Sequence, residues 1–197
     1  MQSAALGFRS HSGWAAMVAV SGTSRSPQVV HRSRVEMITG VGFRARQPYH
    51  VAAEMKRDAA EKFIAAALHS ATQQAHKAVG GLLDELRRNG EQVRACGILL
   101  ASGRALPELG SILASHALIH AAEGELFRQA LIQACERCGV SLTGTREREI
   151  MDLGGKRLKI SQRELADRLT ELGRGVGRPW RQDEKLATLA AWLALPS

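Results

Sequence analysis

Apolar and polar positions along the chain change period several times, and each change marks an element. Ala4 to Phe8 is a short apolar run closed by the polar turn Arg9-Ser10-His11-Ser12-Gly13. Trp14 to Val20, WAAMVAV, reads as a strand buried on both faces, and Gln28 to Ile38, QVVHRSRVEMI, alternates as the next one. Turn residues from Gly22 to Pro27 separate the two, so the chain opens as an antiparallel meander. After a connector from Gly40 to Gln47, the stretch from Tyr49 to Arg88 reads as helix almost throughout, with Gly80-Gly81 as a candidate interruption. Gln92 to Leu100 returns as a strand, followed by a long helix from Pro107 to Gly139. Val140 to Thr143 predicts a short strand, and Arg146 to Met151 leads into a polar connector. Ser161-Gln162-Arg163-Glu164 is a capping box opening a helix with Leu165, Leu169 and Leu172 on its apolar face. Gln182 to Leu195 forms the last helix, with Asp183 and Glu184 in its first turn, where negative charge complements the helix dipole. Three strands, helix, strand, helix, short strand, helix, helix predicts an α/β protein: a mixed sheet with helices on both faces, in a single domain over residues 1–197.

The helix from Pro107 concentrates the candidate chemistry. Steps of four and three from Leu109 place Leu113, His116, His120, Glu123, Phe127, Ala130 and Ala134 on one stripe. Two histidines and a carboxylate therefore interrupt an apolar row, and buried polar groups need partners. Three readings stay open: hydrogen-bonded core histidines, a catalytic or one-metal site built from His116, His120 and Glu123 with Glu125 nearby, or a binding groove. The HxxxHxxE spacing is not the HExxH zinc signature, and no further ligand is identifiable.

Charge narrows the partners. Lys plus Arg number 27 against 19 for Asp plus Glu, a net charge of +8. Residues 1–50 hold six arginines and one acid, the middle is nearly balanced, and the excess returns after Lys156. Basic charge at both chain ends, brought together by folding, fits DNA or RNA as a partner. Cys96, Cys135 and Cys138 make an odd count without a secretory leader, which predicts a reducing cytoplasm. No run approaches the roughly 20 apolar residues that span a bilayer. Cys135 and Cys138 lie at a helix end whose dipole raises a thiol pKa, so they are expected as core or surface cysteines rather than a redox or zinc pair. In a continuous helix, His120 stands about 22 Å from Cys135 and shares no metal with it.

Three segments carry a family resemblance. ALGFRSHSGWAAMVAV looks like an opening strand, turn and second strand; VRACGILLASGR occupies the place of a later strand; RQDEKLATLAAWLAL is similar to a last helix that begins acidic and continues Ala-rich. Together they resemble the ribonuclease-H-like superfamily, in its RuvC Holliday junction resolvase branch. The resemblance implies chemistry by about four carboxylates that gather two divalent ions. Position by position, the first-strand aspartate corresponds to Arg9, with Ser10 or His11 beside it. The later glutamate falls on Ala101 or Ser102; Asp183 matches an acid of the last helix, and Leu186 stands where the next acid belongs. One carboxylate does not hold two magnesium ions, and an arginine repels them. The resemblance thus implies a nuclease-inactive relative in which Arg9, His11, Ser12, Ser102 and Arg104 form an anion site for phosphate. The alternatives are a divergent enzyme using His116, His120 and Glu123, and an interaction module that dimerises through its long helix. Trp14 and Trp192 are expected in the core, and Trp180 as an exposed stacking group.

Overall fold

The structure, a computed structural model, describes residues 1–39, 46–101 and 105–196. Strands β1 (Gln2–His11), β2 (Trp14–Gly22) and β3 (Pro27–Glu36) form the antiparallel meander. Helices α1 (Pro48–Ala52) and α2 (Arg57–Arg88) lead to β4 (Glu91–Leu100), which pairs parallel to β1. Helices α3 (Leu109–Leu113) and α4 (His116–Arg137) then lead to β5 (Ser141–Arg146), parallel to β4. The chain closes with α5 (Ile150–Leu158), α6 (Gln162–Leu172) and α7 (Gln182–Ala194). The sheet order is β3-β2-β1-β4-β5.

Strand alternation divides the interior in two. Leu6, Phe8, Met17 and Ile98 point to one face and pack on Ala71, Ala75 and Val79 of α2 and Phe127, Ala130 and Leu131 of α4. Ala5, Ala16 and Val18 point to the other and pack on Leu165 of α6 and Leu186, Ala187, Leu189 and Trp192 of α7. Helices thus cover both faces, as the pattern predicts.

Helix α7 rests unusually close to the sheet. Gly7 and Gly97 are register partners on β1 and β4. A Cβ at Gly7 would lie 1.8 Å from the Ala187 carbonyl oxygen, and one at Gly97 2.2 Å from that of Ala190. Those separations are far inside van der Waals contact, so the helix backbone sits where strand side chains would otherwise stand. Trp192 anchors the far end, fully buried with Nε1 donating to the Ser24 carbonyl at 2.9 Å. The amino terminus of α7 is thereby held over the carboxyl end of β1.

Several expected boundaries move. Strand β1 runs through Arg9 to His11, so the turn is reduced to Ser12-Gly13, with Gly13 at φ 85°. The stretch from Tyr49 breaks after α1, whereas Gly80-Gly81 sit inside an uninterrupted α2, where a Cβ would meet nothing. The helix expected from Pro107 is two helices, capped by Glu108, whose carboxylate accepts from the Gly110 and Ser111 amides, and reopened at Ser115. The connector after Met151 is helical as α5, its Gly154 fitting tightly under Leu165 and Leu189. Only half of the capping box at Ser161 forms: its hydroxyl accepts from the Glu164 amide at 3.1 Å, while Glu164 pairs with Arg168 at 2.8 Å. Trp180 is not presented for stacking, since it packs on Gly173 and donates to the Leu169 carbonyl. Cys135 is buried and Cys138 half-buried. No described helix is long and apolar enough to cross a membrane.

Candidate functional site

The carboxyl end of β1 carries a closed charge cluster. Arg9 and His11 both project to the α7 face, because they continue the parity of Ala5 and Gly7. Asp183, in the first turn of α7, meets both. His11 Nε2 donates to Asp183 Oδ1 at 2.8 Å, and Arg9 donates to the same oxygen. Glu147, one residue beyond β5, takes the other edge of the guanidinium, with Nε 3.1 Å and Nη2 2.7 Å from its two oxygens. This is the bidentate geometry that planar guanidinium favours. Hydrogen bonding by Glu147, then by Asp183, raises the Arg9 pKa further above its ordinary value against the opposing effect of burial. For Asp183 burial pushes upward, but hydrogen bonds from His11 and Arg9 outweigh it and leave the carboxyl below its usual range.

Arg9 and His11, expected to face an incoming phosphate, are instead brought to Asp183, so their cationic and donor groups already face protein carboxylates. Ser12 is half-buried in the adjacent turn, and Ser102 and Arg104 lie outside the described residues. Ala101 is exposed, and Leu186 is buried in the core beneath α7. The residues present do not fit a two-magnesium centre: a positive side chain bridges the carboxylates where divalent ions would have to sit. Glu147 escaped sequence reasoning. Its one signal is that it directly follows a strand, so that it falls at the same end of the sheet as Arg9.

Beside this cluster a cavity of about 500 Å³ opens between β2, β3 and the entry to α7. It is lined by Trp14, Arg32, Arg34, Arg181, Asp183 and Glu184, among others. Register explains the grouping: Arg9 pairs with Ala16, which pairs with Arg34, so the two arginines flank a small residue on one face. Trp14 is half-buried here rather than in the core. His11 stacks on its indole at 4.3 Å, and the Arg34 guanidinium lies 3.9 Å from its ring centre. Arg32 is spent on the Val176 and Arg178 carbonyls. The two basic ends of the chain do meet, in this cavity.

The His116 and His120 helix forms a second cluster. Helix α4 returns antiparallel to β4, so its first turns reach the same end of the sheet, but on the α2 face, opposite Arg9. The two histidines are exposed: they share the stripe of Glu123 and Phe127, but they stand in the first turns of α4, beyond the main core, which this helix enters only from Leu126 and Phe127. Glu123 is the buried member, at 2% exposure. Its Oε1 receives the Tyr49 amide at 2.9 Å, the His50 amide at 3.1 Å and His50 Nδ1 at 3.2 Å. Burial raises its pKa, opposed by the His50 hydrogen bonds. Glu125 turns outward to Arg128 at 3.0 Å. His50 was missed because it lies on another helix, where no spacing ties it to His116.

No protein-family model matches this chain, and no curated protein does. Solved structures do. The Thermus thermophilus RuvC structure aligns over 96% of this chain and 91% of its own length, at 13% identity and a TM-score of 0.55. T. thermophilus RuvC in complex with Holliday junction substrate aligns over 96% and 90%, at 12% identity and a TM-score of 0.55. At such identities the likeness speaks for architecture alone, and there it agrees with the mixed five-stranded sheet and its helices: the chain has the ribonuclease-H-like fold of RuvC.

Proposed function

We propose that this protein binds the phosphate backbone of nucleic acid and does not cleave it by a two-metal route. The observation that carries this reading is the cavity beside Asp183, where Arg34 and Arg181 present exposed guanidinium groups from opposite ends of the chain. Guanidinium matches phosphate oxygens in a two-point fork, and its charge does not titrate. The net charge of +8 favours approach to a polyanion. A RuvC of the same fold has been solved with a Holliday junction substrate, which makes branched DNA the first ligand to try. Asp183 and Glu184 on the cavity wall are held by Arg9 and His11 and by the Arg181 amide respectively; Arg34 pairs through Nε with Glu36 at the rim, so a phosphate would meet its remaining guanidinium edge together with Arg181. Two-metal cleavage is disfavoured because Arg9 bridges Asp183 and Glu147.

The test is binding of labelled four-way junction, duplex and single-stranded DNA and RNA at low and near-physiological salt. Micromolar or tighter affinity that falls steeply with salt is expected, with one phosphate contact, and about one unit of salt slope, removed in Arg34→Ala. Absence of binding even at low salt, or binding by both Arg34→Ala and Arg181→Ala as tight as that of the unaltered chain, overturns the reading. Magnesium-dependent cutting of the junction overturns its second half.

A further inference from the structure

The three rings His50, His116 and His120 converge from two helices. His116 and His120 are one turn apart on α4, and His50 comes from α1. Their ring centres are 4.4 to 5.5 Å apart, and one nitrogen from each lies within 4.8 Å of the others. We propose that His50, His116 and His120 bind a single first-row transition-metal ion of the zinc class, with Glu123 holding His50 in its ligating orientation.

Three features carry this. A tetrahedral ion with bonds of 2.0 to 2.1 Å spaces its ligand nitrogens about 3.3 Å apart. The rings are near that spacing, and His116 and His120 are exposed and able to rotate the remaining distance. Metal-bound histidine commonly gives its other ring N–H to a carboxylate, which fixes the tautomer. His50 Nδ1 stands 3.2 Å from Glu123 Oε1, so its Nε2 is the ligand. Glu123 is also a carboxylate at 2% exposure whose Oε2 has no hydrogen-bond partner among the described residues. A divalent cation beyond His50 supplies the positive charge such a group lacks.

Imidazole ligands select zinc, copper, nickel or iron over magnesium and calcium, which take oxygen. With three protein ligands on an exposed helix start, the ion keeps a coordination position open to solvent. This site is independent of the arginine cavity, which lies on the other face of the sheet. A lone i, i+4 histidine pair on a helix surface also attracts such ions, so the contribution of His50 and Glu123 has to be read separately.

The experiment is zinc titration of chelator-treated full-length protein by calorimetry, with cobalt substitution to read coordination from its visible spectrum. One ion per chain is expected, with the intense absorption of four-coordinate cobalt. His120→Ala and His50→Ala should each weaken binding at least tenfold, and Glu123→Gln about 10- to 100-fold. His69→Ala, exposed on α2, should bind as the unaltered chain does. His120→Ala alters only a surface ring, so a lost site cannot be ascribed to misfolding when its circular dichroism is unchanged. No stoichiometric zinc at 100-fold protein excess over trace metal, or undiminished affinity in either His120→Ala or His50→Ala, overturns the proposal.

Discussion

The two clusters at this end of the sheet solve opposite electrostatic problems. On the α7 face the cation is part of the chain: Arg9 sits between Asp183 and Glu147, and His11 completes the contact. On the α2 face the anion is part of the chain, since buried Glu123 accepts from the Tyr49 and His50 amides and from the His50 ring. One centre is closed by its own residues, and the other is built to receive a charge. The same fold hosts both because strands ending at one edge deliver side chains to either face by parity.

The comparison is broken most completely by removing the frame beneath the first cluster. Gly7→Val places a side chain where the Ala187 carbonyl lies, so α7 cannot seat and Asp183 leaves Arg9. A loss above about 4 kcal/mol, or no folded protein, is expected in thermal unfolding. Next in size is Arg9→Ala, which leaves two carboxylates facing without their cation. Because the cluster is partly open to solvent, about 1–2 kcal/mol is expected in urea unfolding, less than for a fully buried pair. Arg9→Asp sharpens the contrast further: three carboxylates should make stability depend on magnesium, whereas the unaltered chain should not respond.

A smaller effect is set by pH. Asp183 is held below its unfolded value, so its contribution is complete above about pH 4 and is lost as pH falls through the folded value. Acid unfolding of Arg9→Ala should therefore show a shallower slope in that range. Smallest is Glu125→Gln, which removes the charge opposite the buried Arg128 guanidinium but keeps an acceptor for it, and should cost about 1 kcal/mol or less while leaving zinc affinity intact. Equal effects at Glu123 and Glu125 would erase the distinction drawn between them.

Strand alternation and the apolar helix faces made the sheet and its two cores legible, since burial imposes period on sequence whatever the function. Asp183 and Arg9 were singled out through the short segments resembling RuvC, as a catalytic acid and a phosphate ligand, but their pairing with each other was not foreseen. Glu147 was not, because the contact joins residues 138 positions apart and a carboxylate on a turn carries no periodic mark. His116 and His120 were placed on the right helix but in the wrong environment. Periodicity gives the side of a helix and not how far along it the core extends, and the first turns of α4 lie beyond the core that begins at Leu126 and Phe127. His50 needed the third dimension, as its partner carboxylate is 73 residues distant.

A bound magnesium ion comes and goes with its concentration, and a chelator can take it. The guanidinium of Arg9 is tethered by β1, so its local concentration is constant and no competing ligand extracts it. What the tether cannot do is lower the pKa of a water or accept an oxygen into its coordination shell. A guanidinium at this one strand position is therefore a fixed part of the scaffold, always assembled with its two carboxylates.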